Sequence, residues 1–288
     1  MPIKPMGGQA VMEGVMIKCG ERTVMCVRRK NGEITTVCEE KTPIAKRHKW
    51  MGWPVIRGFV NLIEQLGVGF RMLMKSANFI EEDEGVETSS TGSSIAMGAI
   101  GVLSVLLALA IFFAAPTFLA GLFLPPGAGL LALEGAFRLL LFAGYVAVIA
   151  LMPDMRRVYM YHGAEHKALF CYEHGEQMTP ENARKYSRLH PRCGTNYLFL
   201  VMIVSIVIFS LLGVQANPFL RAGIRILMIP LVAGVAYEVL KLFARQNNIL
   251  AKIVRAPGLA LQYLTTREPT DDMLEVAAAA VRAADDDV

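Results

Sequence analysis

The sequence predicts a mainly α-helical membrane protein with four transmembrane helices, a small N-terminal antiparallel β region and an amphipathic interfacial helix. Hydrophobic residues make up 54% of the 288 residues and charged residues only 19%, whereas soluble globular domains contain about a quarter charged residues. Long uncharged stretches alternate with segments rich in Lys and Arg. This composition excludes a disordered chain, a collagen-like chain and a small disulfide-stapled chain.

The first element is a β-hairpin within a region that covers residues 1–49. Thr23–Glu40 carries Asn31-Gly32 between two runs of β-forming residues. Asn-Gly is a strong hairpin signal because both turn positions require positive φ. In the register of a two-residue turn, Cys26 and Cys38 lie on opposite faces and do not pair.

Gln9–Ile17 is a candidate third strand. Val11, Val15 and Ile17 would share one face of that strand. Glu13 would lie on the same face, and a carboxylate on an apolar face is a hint of function. The alternative is an edge position at which Glu13 is solvated.

Residues 50–80 form the predicted amphipathic helix. Apolar residues recur there at steps of three and four, from Ile56 to Ala77. Trp50 and Trp53 precede them and are suited to headgroup depth. The helix lies either in the membrane interface or in the core of a soluble lobe. The acidic and then Ser-rich segment 81–94 is predicted to be a linker.

Four segments are long and apolar enough to span a membrane, since about 20 helical residues cross the hydrocarbon core. They form two predicted hairpins, residues 95–152 and 197–243. Glu134 and Arg138 interrupt the second segment and, being four residues apart, can face one another. The segments are Ile95–Leu124, Leu130–Met152, Tyr197–Leu220 and Ala222–Phe243.

The distribution of Lys and Arg predicts the orientation, because cytoplasmic flanks collect these residues. Residues 1–94 carry 13 of them, residues 153–196 carry seven and residues 244–288 carry five. The connection around Pro125-Pro126 carries none, and the turn near Asn217-Pro218 is followed by Arg221 alone. We therefore expect a multi-pass protein of the cell membrane with both termini, the central segment 153–196 and a C-terminal tail 244–288 in the cytoplasm.

The cysteines indicate a reduced compartment. They are five in number and form no CxxC pair, and an odd number cannot close completely into disulfides. The N-terminus lacks a continuous apolar run behind Lys4, so no cleavable signal peptide is expected.

The segment 153–196 holds the residues that indicate chemistry. Pro153–Glu173 is predicted to be a helix in which His162, Glu165 and His166 interrupt an apolar stripe, with Lys167 on the opposite side. Two His one turn apart can grip one metal ion, and the pattern H-x-x-E-H is that of inverted zincins. The alternative is a pair of core histidines hydrogen-bonded to Glu165. Gly163 inside a helix predicts close approach by another backbone or by a ligand.

A third metal ligand has to come from elsewhere in the chain, because two His are too few. His190 and Cys193 lie in the turn that precedes the third span, and Glu238 lies near the cytoplasmic end of the fourth. All three can converge with the two His at the inner membrane surface. The alternatives are an ordinary turn with a buried thiol, and pairing of Glu238 with Lys241 or Arg225.

Four segments resemble the YqhQ-like family of bacterial membrane proteins, a family of unknown function whose members are labelled predicted metal-dependent enzymes. The resemblance covers nearly the whole chain in the same order. It implies membership of the family and agrees with a metal site, but it implies no particular reaction. The segments are Gly7–Met16 (GGQAVMEGVM), Tyr161–Lys167 (YHGAEHK), Leu189–Thr195 (LHPRCGT) and Leu264–Pro269 (LTTREP).

The leading hypothesis is a membrane-embedded, metal-dependent hydrolase that acts at the cytoplasmic leaflet with a divalent metal, zinc. His162, His166 and either His190 or Glu238 would hold the ion, and Glu165 would be the general base. The competing hypothesis is a non-enzymatic scaffold or transport component with a structural metal or a hydrogen-bonded His/Glu site. A third is thiol chemistry at Cys193 with His190.

The expected partners follow from the location of the chain. They are membrane lipid, a substrate of unknown class, and a further membrane protein or a second copy of the chain. Nucleic acid is not among them, because the basic residues are explained by membrane topology and anionic lipid.

Overall fold

The structure is a computed structural model that describes residues 4–85, 91–244, 246 and 248–285, with the backbone alone at 91–97 and 244. Its N-terminal region is a four-stranded antiparallel sheet in the order β1-β2-β3-β4. The predicted β region is therefore present, with one strand more than expected. The strands are β1 (Met6–Val11), β2 (Gly14–Cys19), β3 (Arg22–Arg28) and β4 (Ile34–Glu40).

The register of the β3–β4 hairpin differs by one residue from the predicted register. Residues 29–33 separate the two strands, so the connection is longer than a two-residue turn. Cys26 pairs with Thr36 instead, and Cys38 pairs with Val24. Since a slip of one residue moves a side chain to the other face, Cys26 and Cys38 share a face, and the prediction of opposite faces is wrong. Cys26 is buried and Cys38 is exposed.

The segment predicted as one strand, Gln9–Ile17, contains a tight turn. β1 ends at Val11 and β2 begins at Gly14, with Glu13 in the turn at φ 52°. Val11 packs on one face of the sheet while Val15 and Ile17 pack on the other. Glu13 therefore does not lie on an apolar strand face, and it pairs with Arg157 instead.

The amphipathic segment forms one long helix after two short helical turns. One face of this helix packs on the sheet, where Val68 and Met72 are buried. The apolar stripe of Ile63, Leu66 and Phe70 is 41–53% exposed. The packing on the sheet agrees with a helix in the core of a lobe, and the exposed stripe is the face that the interfacial prediction concerns. The turns are α1 (Ile44–Arg47) and a 3₁₀ turn (Lys49–Gly52), and the helix is α2 (Ile56–Asp83).

Two apolar helices follow, and each is long enough to cross a membrane. The first, Gly98–Gly121, is interrupted by a π-helical turn, Ala110–Ala114. The predicted linker 81–94 begins inside α2, and residues 86–90 of it lie outside the described residues. The elements are α3 (Thr91–Leu109), the π turn, α4 (Ala115–Gly121) and α5 (Ala128–Ala150).

A helical segment joins these helices to the second apolar pair. Its main helix begins with Pro153 in the first turn, a position at which the missing N–H of proline costs nothing. A short helix follows, capped by the Thr179 hydroxyl, which accepts a hydrogen bond from the Asn182 N–H. The two helices are α6 (Pro153–Glu173) and α7 (Pro180–Arg184).

The third candidate span is straight and the fourth is bent. Within the described residues, three helices satisfy the length and apolarity of a span, and the bent pair makes up to four. The bend is 47° and follows Leu227. Glu134 pairs with Arg221 and Arg225 of this bent pair rather than with Arg138. The helices are α8 (Gly194–Leu211), α9 (Pro218–Leu227) and α10 (Ile229–Ala244).

The C-terminal segment is not the plain tail that was expected. It forms two helices, of which the second is buried along most of its length. The sequence prediction overlooked this second helix because its buried face consists largely of Ala, which gives a weak hydrophobic period. The helices are α11 (Ile249–Thr265) and α12 (Asp271–Ala284).

One hydrophobic core joins three parts of the chain that are far apart in sequence. Val15, Ile17 and Val24 of the sheet pack with Tyr161 of α6 and with Val276 of α12. The β sheet, the segment between the second and third candidate spans, and the C-terminus therefore form a single lobe. This lobe lies at one end of the apolar helices and holds the His/Glu motif.

Candidate metal centre

The central part of α6 is buried on all sides rather than along one stripe. Glu165 and His166 are buried as predicted, but Lys167, expected on the exposed side, is also buried. Its ammonium group donates to the Arg184 carbonyl at 3.1 Å and pairs with Glu268. The packing of α12 and α7 around α6 covers the side that sequence periodicity assigns to solvent.

Gly163 lies where another backbone touches α6. A Cβ at this position would overlap the carbonyl oxygen of Arg267 and lie 3.4 Å from Cδ of Pro269. The N–H of Arg267 donates to the Tyr159 carbonyl at 2.8 Å, which fixes this segment against the helix. The predicted close approach is thus made by the chain itself.

The two histidines of the motif have the same tautomer and aim the same ring atom at the site. Nδ1 of His162 lies 2.8 Å from the Thr265 carbonyl, and Nδ1 of His166 lies 2.5 Å from the Arg188 carbonyl. A carbonyl oxygen can only accept, so each Nδ1 carries the proton when the ring is neutral. Each Nε2 then offers a lone pair. Backbone carbonyls orient metal-binding histidines in the same way.

Cys193 completes a cluster of three ligand atoms. Its Sγ lies 3.2 Å from Nε2 of His162. The ligand atoms of His162, His166 and Cys193 all lie within 4.8 Å of one another. Cys193 is the N-cap of α8, where Sγ also accepts from the Thr195 N–H at 3.4 Å. Of the three residues considered as a third ligand, Cys193 is the one that the structure brings to the two histidines.

Glu165 lies beside this cluster and under the sheet. Its Oε2 is 3.9 Å from Nε2 of His162 and 3.9 Å from Nε2 of His166. A Cβ on Gly8 would overlap the Glu165 carboxylate, so β1 runs directly over it. Burial raises the pKa of Glu165 above its ordinary value, and the two nearby histidines His162 and His190 only partly offset this.

Burial shifts the pKa of His166 in the opposite direction from that of Glu165. It lowers the pKa of His166, because the charged imidazolium is the form that loses most when water is excluded. Nε2 of His166 is buried and has no hydrogen-bond partner among the described residues. A neutral ring with an unused lone pair is the form that coordinates a metal.

His190 lies next to the cluster but faces away from it. Its ring is 5.6 Å from that of His166, and its Nδ1 accepts a hydrogen bond from the Arg192 N–H at 3.3 Å. Its Nε2 is 3.4 Å from Oε1 of Glu173. Burial would raise the pKa of Glu173, but the His190 ring and the Arg192 guanidinium beside it outweigh burial and hold the pKa below its ordinary value. The imidazole that contacts Cys193 is therefore His162 and not His190.

Glu238 lies outside the cluster. Its carboxylate accepts two hydrogen bonds from the Arg57 guanidinium, at 2.7 and 2.5 Å. Its partner is thus a residue of α2, rather than Lys241 or Arg225, and the pair fastens α10 to α2.

The four segments that carry the family resemblance meet at this place. β1 covers Glu165 through Gly8, α6 supplies the two histidines, and the turn before α8 supplies Cys193. The last segment, Leu264–Pro269, orients His162 and fits against Gly163. Sequence reasoning missed the two backbone carbonyls, of Thr265 and Arg188, because any residue type can supply a carbonyl.

The donor set fits a zinc ion. Imidazole nitrogen and thiolate sulfur are the ligands that structural and catalytic zinc sites use, and three protein ligands leave one coordination position. The unpartnered Nε2 of His166 provides the independent observation, since a buried polar atom without a partner costs about 1–3 kcal/mol. A cation between this atom, Nε2 of His162 and Sγ of Cys193 would satisfy all three.

Comparison with known proteins identifies the family. The profile of a family described as "Protein of unknown function (DUF1385)" matches residues 53–287. The chain belongs to this family. It is 36% identical over 285 residues to "Uncharacterized protein YqhQ" of Bacillus subtilis (strain 168), an alignment that covers 94% of this chain and 89% of the relative. No solved structure matches the chain.

Proposed function

We propose that this protein is a membrane-embedded, metal-dependent hydrolase with one zinc ion held by His162, His166 and Cys193. One observation carries the proposal: both histidines donate Nδ1–H to a backbone carbonyl, so two lone pairs and one sulfur converge on one point. Without a cation, the Cys193 thiol can donate to Nε2 of His162, but Nε2 of His166 stays buried without a partner. When bound, zinc supplies Lewis acidity, which activates water and polarises a carbonyl or phosphoryl oxygen.

Glu165 is the general base in this proposal. Its Oε2 is 3.9 Å from each of the two Nε2 atoms, so the carboxylate would lie near an ion held by the three ligands. The carboxylate would take a proton from the attacking water, which is the role of a general base. The sheet above Glu165 excludes water from its other side.

The site lies at the cytoplasmic surface of the membrane in this proposal. Segments before the first span, between the second and third, and after the fourth share one core. A lobe of this kind lies on one side of the membrane. The chain must therefore cross the membrane an even number of times between one part of the lobe and the next. This requirement favours the bent pair α9–α10 as a complete fourth span. The positive charge of the same segments favours the cytoplasmic side.

The competing scaffold hypothesis makes Glu165 a fourth metal ligand. Four protein ligands close a zinc site and indicate a structural role, whereas an open position indicates catalysis. Replacing Glu165 with Gln separates the two, because Gln keeps the shape and removes the proton acceptor. If the protein is a hydrolase, Glu165→Gln should keep its fold and its zinc content but fail to complement a deletion strain. A structural role with Glu165 as a fourth ligand predicts a lower zinc content in this variant instead, because an amide oxygen is a poorer zinc ligand than a carboxylate.

A specific contact favours a second candidate, a cysteine nucleophile. His162 lies 3.2 Å from Sγ of Cys193 and is oriented by the Thr265 carbonyl, which is the arrangement of a nucleophile, a base and an orienting group. Cys193→His separates the two candidates, because a third imidazole can hold zinc but cannot be a thiol nucleophile. Retained zinc with retained complementation favours the metalloenzyme. Retained zinc with lost complementation favours the thiol.

Metal content tests the site itself. The full chain, purified in detergent and analysed by mass spectrometry of metals, should carry close to one zinc per chain. His162→Ala, His166→Ala and Cys193→Ser should each lose it. His174→Ala is the matched control, because His174 is exposed near the end of the same helix and should keep the zinc. Full retention of metal by both His162→Ala and His166→Ala would refute this site.

A further inference from the structure

A second group of charged residues lies at the end of the helix bundle away from the metal centre. Glu134 and Arg138 belong to α5, and Arg221 and Arg225 belong to α9. All four are 1–2% exposed, inside segments apolar enough to span a membrane. Ionisable residues at this depth are costly and mark functional sites by default.

The positive charges of this group are not balanced. Glu134 Oε1 lies 3.0 Å from Nε of Arg221, and Glu134 Oε2 pairs with Arg225. Arg138 has no carboxylate within 4.0 Å in the part of the chain that the structure describes. Arginine stays protonated in proteins, so three guanidinium groups and one carboxylate leave two positive charges in a buried place.

Two guanidinium groups also have unused donors. Arg138 donates through Nε to the Phe112 carbonyl at 3.1 Å, and Arg225 donates through Nη1 to the Thr117 hydroxyl at 2.7 Å. The Nη2 atoms of Arg138 and Arg225 have no hydrogen-bond partner among the described residues. Both groups lie over the ring of Phe209, 4.9 and 5.3 Å from its centroid, so the same ring contacts both.

The backbone is irregular where these groups lie. Phe112 belongs to the π-helical turn Ala110–Ala114, and Arg225 lies in the last turn of α9, just before the 47° bend. π-helical turns occur frequently at functional sites. Discontinuous helices form the substrate and ion sites of many membrane transporters.

A cleft at the end of the bundle away from the metal centre reaches one member of this group. It measures about 320 Å³, and Arg221 lines it. The rest of its lining comes from the two connections around residues 121–130 and 216–218. Arg221 thus joins the cleft to Glu134 and so to the buried guanidinium groups.

We infer that Arg138, Arg221 and Arg225 form a binding site for a doubly charged oxyanion of the phosphate class. Two uncompensated positive charges match two negative charges, and the planar guanidinium fork is suited to the oxygens of phosphate. The ligand is either a free oxyanion or the phosphate monoester headgroup of a lipid, since both present the same group. This site is separate from the metal centre and does not depend on the proposed hydrolase.

Equilibrium dialysis of the full chain in neutral detergent tests the inference, with radiolabelled inorganic phosphate at constant ionic strength. Phosphate and sulfate should bind saturably and more tightly than acetate or chloride. Arg138→Gln should weaken phosphate binding by about tenfold or more, since it removes a charged hydrogen-bond donor. Arg156→Gln is the control, because Arg156 is exposed on α6 and should leave binding unchanged.

A second variant keeps the inference testable if Arg138→Gln does not fold. Glu134→Gln removes the competing carboxylate and should tighten phosphate binding. Competition by a short-chain phosphatidic acid that exceeds competition by phosphate would identify the lipid source. The inference fails if the parent protein binds no doubly charged oxyanion, if acetate binds more tightly than phosphate, or if Glu134→Gln weakens binding.

Discussion

Replacement of Gly163 by alanine separates helix propensity from the packing that forms the metal centre. In an ordinary helix interior, Gly→Ala stabilises by about 1 kcal/mol. Here the new Cβ would overlap the Arg267 carbonyl oxygen, which belongs to a backbone segment held by the Tyr159 carbonyl. Relief of the overlap requires this segment to move away from α6.

The expected loss follows from these contacts. Forcing an extra carbon into a packed contact costs about 1–3 kcal/mol. Displacement of the segment also removes the Thr265 acceptor from His162, a hydrogen bond worth about 1 kcal/mol. After the gain in helix propensity is subtracted, we expect a net destabilisation of about 1–3 kcal/mol, or a Tm lower by about 2–10 °C. Loss of the group that orients a ligand should weaken zinc binding by about 10–100-fold.

Thermal unfolding of the detergent-purified protein and competition with a chromophoric zinc chelator measure both effects. Gly67→Ala is the matched control, because Gly67 is exposed in α2 and its Cβ would meet nothing within 4 Å. This control should have an equal or higher Tm and unchanged zinc affinity. A Gly163→Ala protein that is as stable as Gly67→Ala and binds zinc normally would refute the packing argument.

Three further predictions concern residues away from the centre. The Glu238→Gln variant should keep its zinc, since Glu238 pairs with Arg57. Because that pair is partly exposed, the free energy of unfolding should fall by only about 1 kcal/mol or less. Zinc loss in this variant would make Glu238 a ligand. Maleimide should label Cys38 in the folded protein and Cys26 only after denaturation, and equal labelling rates would contradict the burial of Cys26. A reporter fused at Gly127 should be active outside the cell and one at Asp285 inside, and the reverse would place the metal centre outside.

The features that sequence predicts well here are those with a strong local signal. Long uncharged runs predict the apolar helices, and the one-turn spacing of His162 and His166 predicts that their rings meet. Asn31-Gly32 predicts the hairpin but not its register. The strands pair from Arg28 and Ile34 onwards, which leaves a five-residue connection in place of the two-residue turn that Asn-Gly indicates.

The remaining features depend on contacts between segments that are far apart in sequence. Cys193 reaches His162 only because the turn before α8 folds back over α6. The burial of Lys167 depends on α7 and on Glu268, neither of which shares a periodic pattern with it. Single-sequence periodicity describes one helix at a time, so it cannot give the third ligand.

X-ray absorption at the zinc edge of the purified full chain is the most direct test of the metal centre. The His₂Cys site predicts one sulfur at about 2.3 Å, two imidazole nitrogens at about 2.0–2.1 Å and one further light atom. In Cys193→Ser the sulfur contribution should disappear, while in His174→Ala the spectrum should stay unchanged. A parent spectrum without sulfur, or a protein without bound metal, would contradict the proposed ligand set.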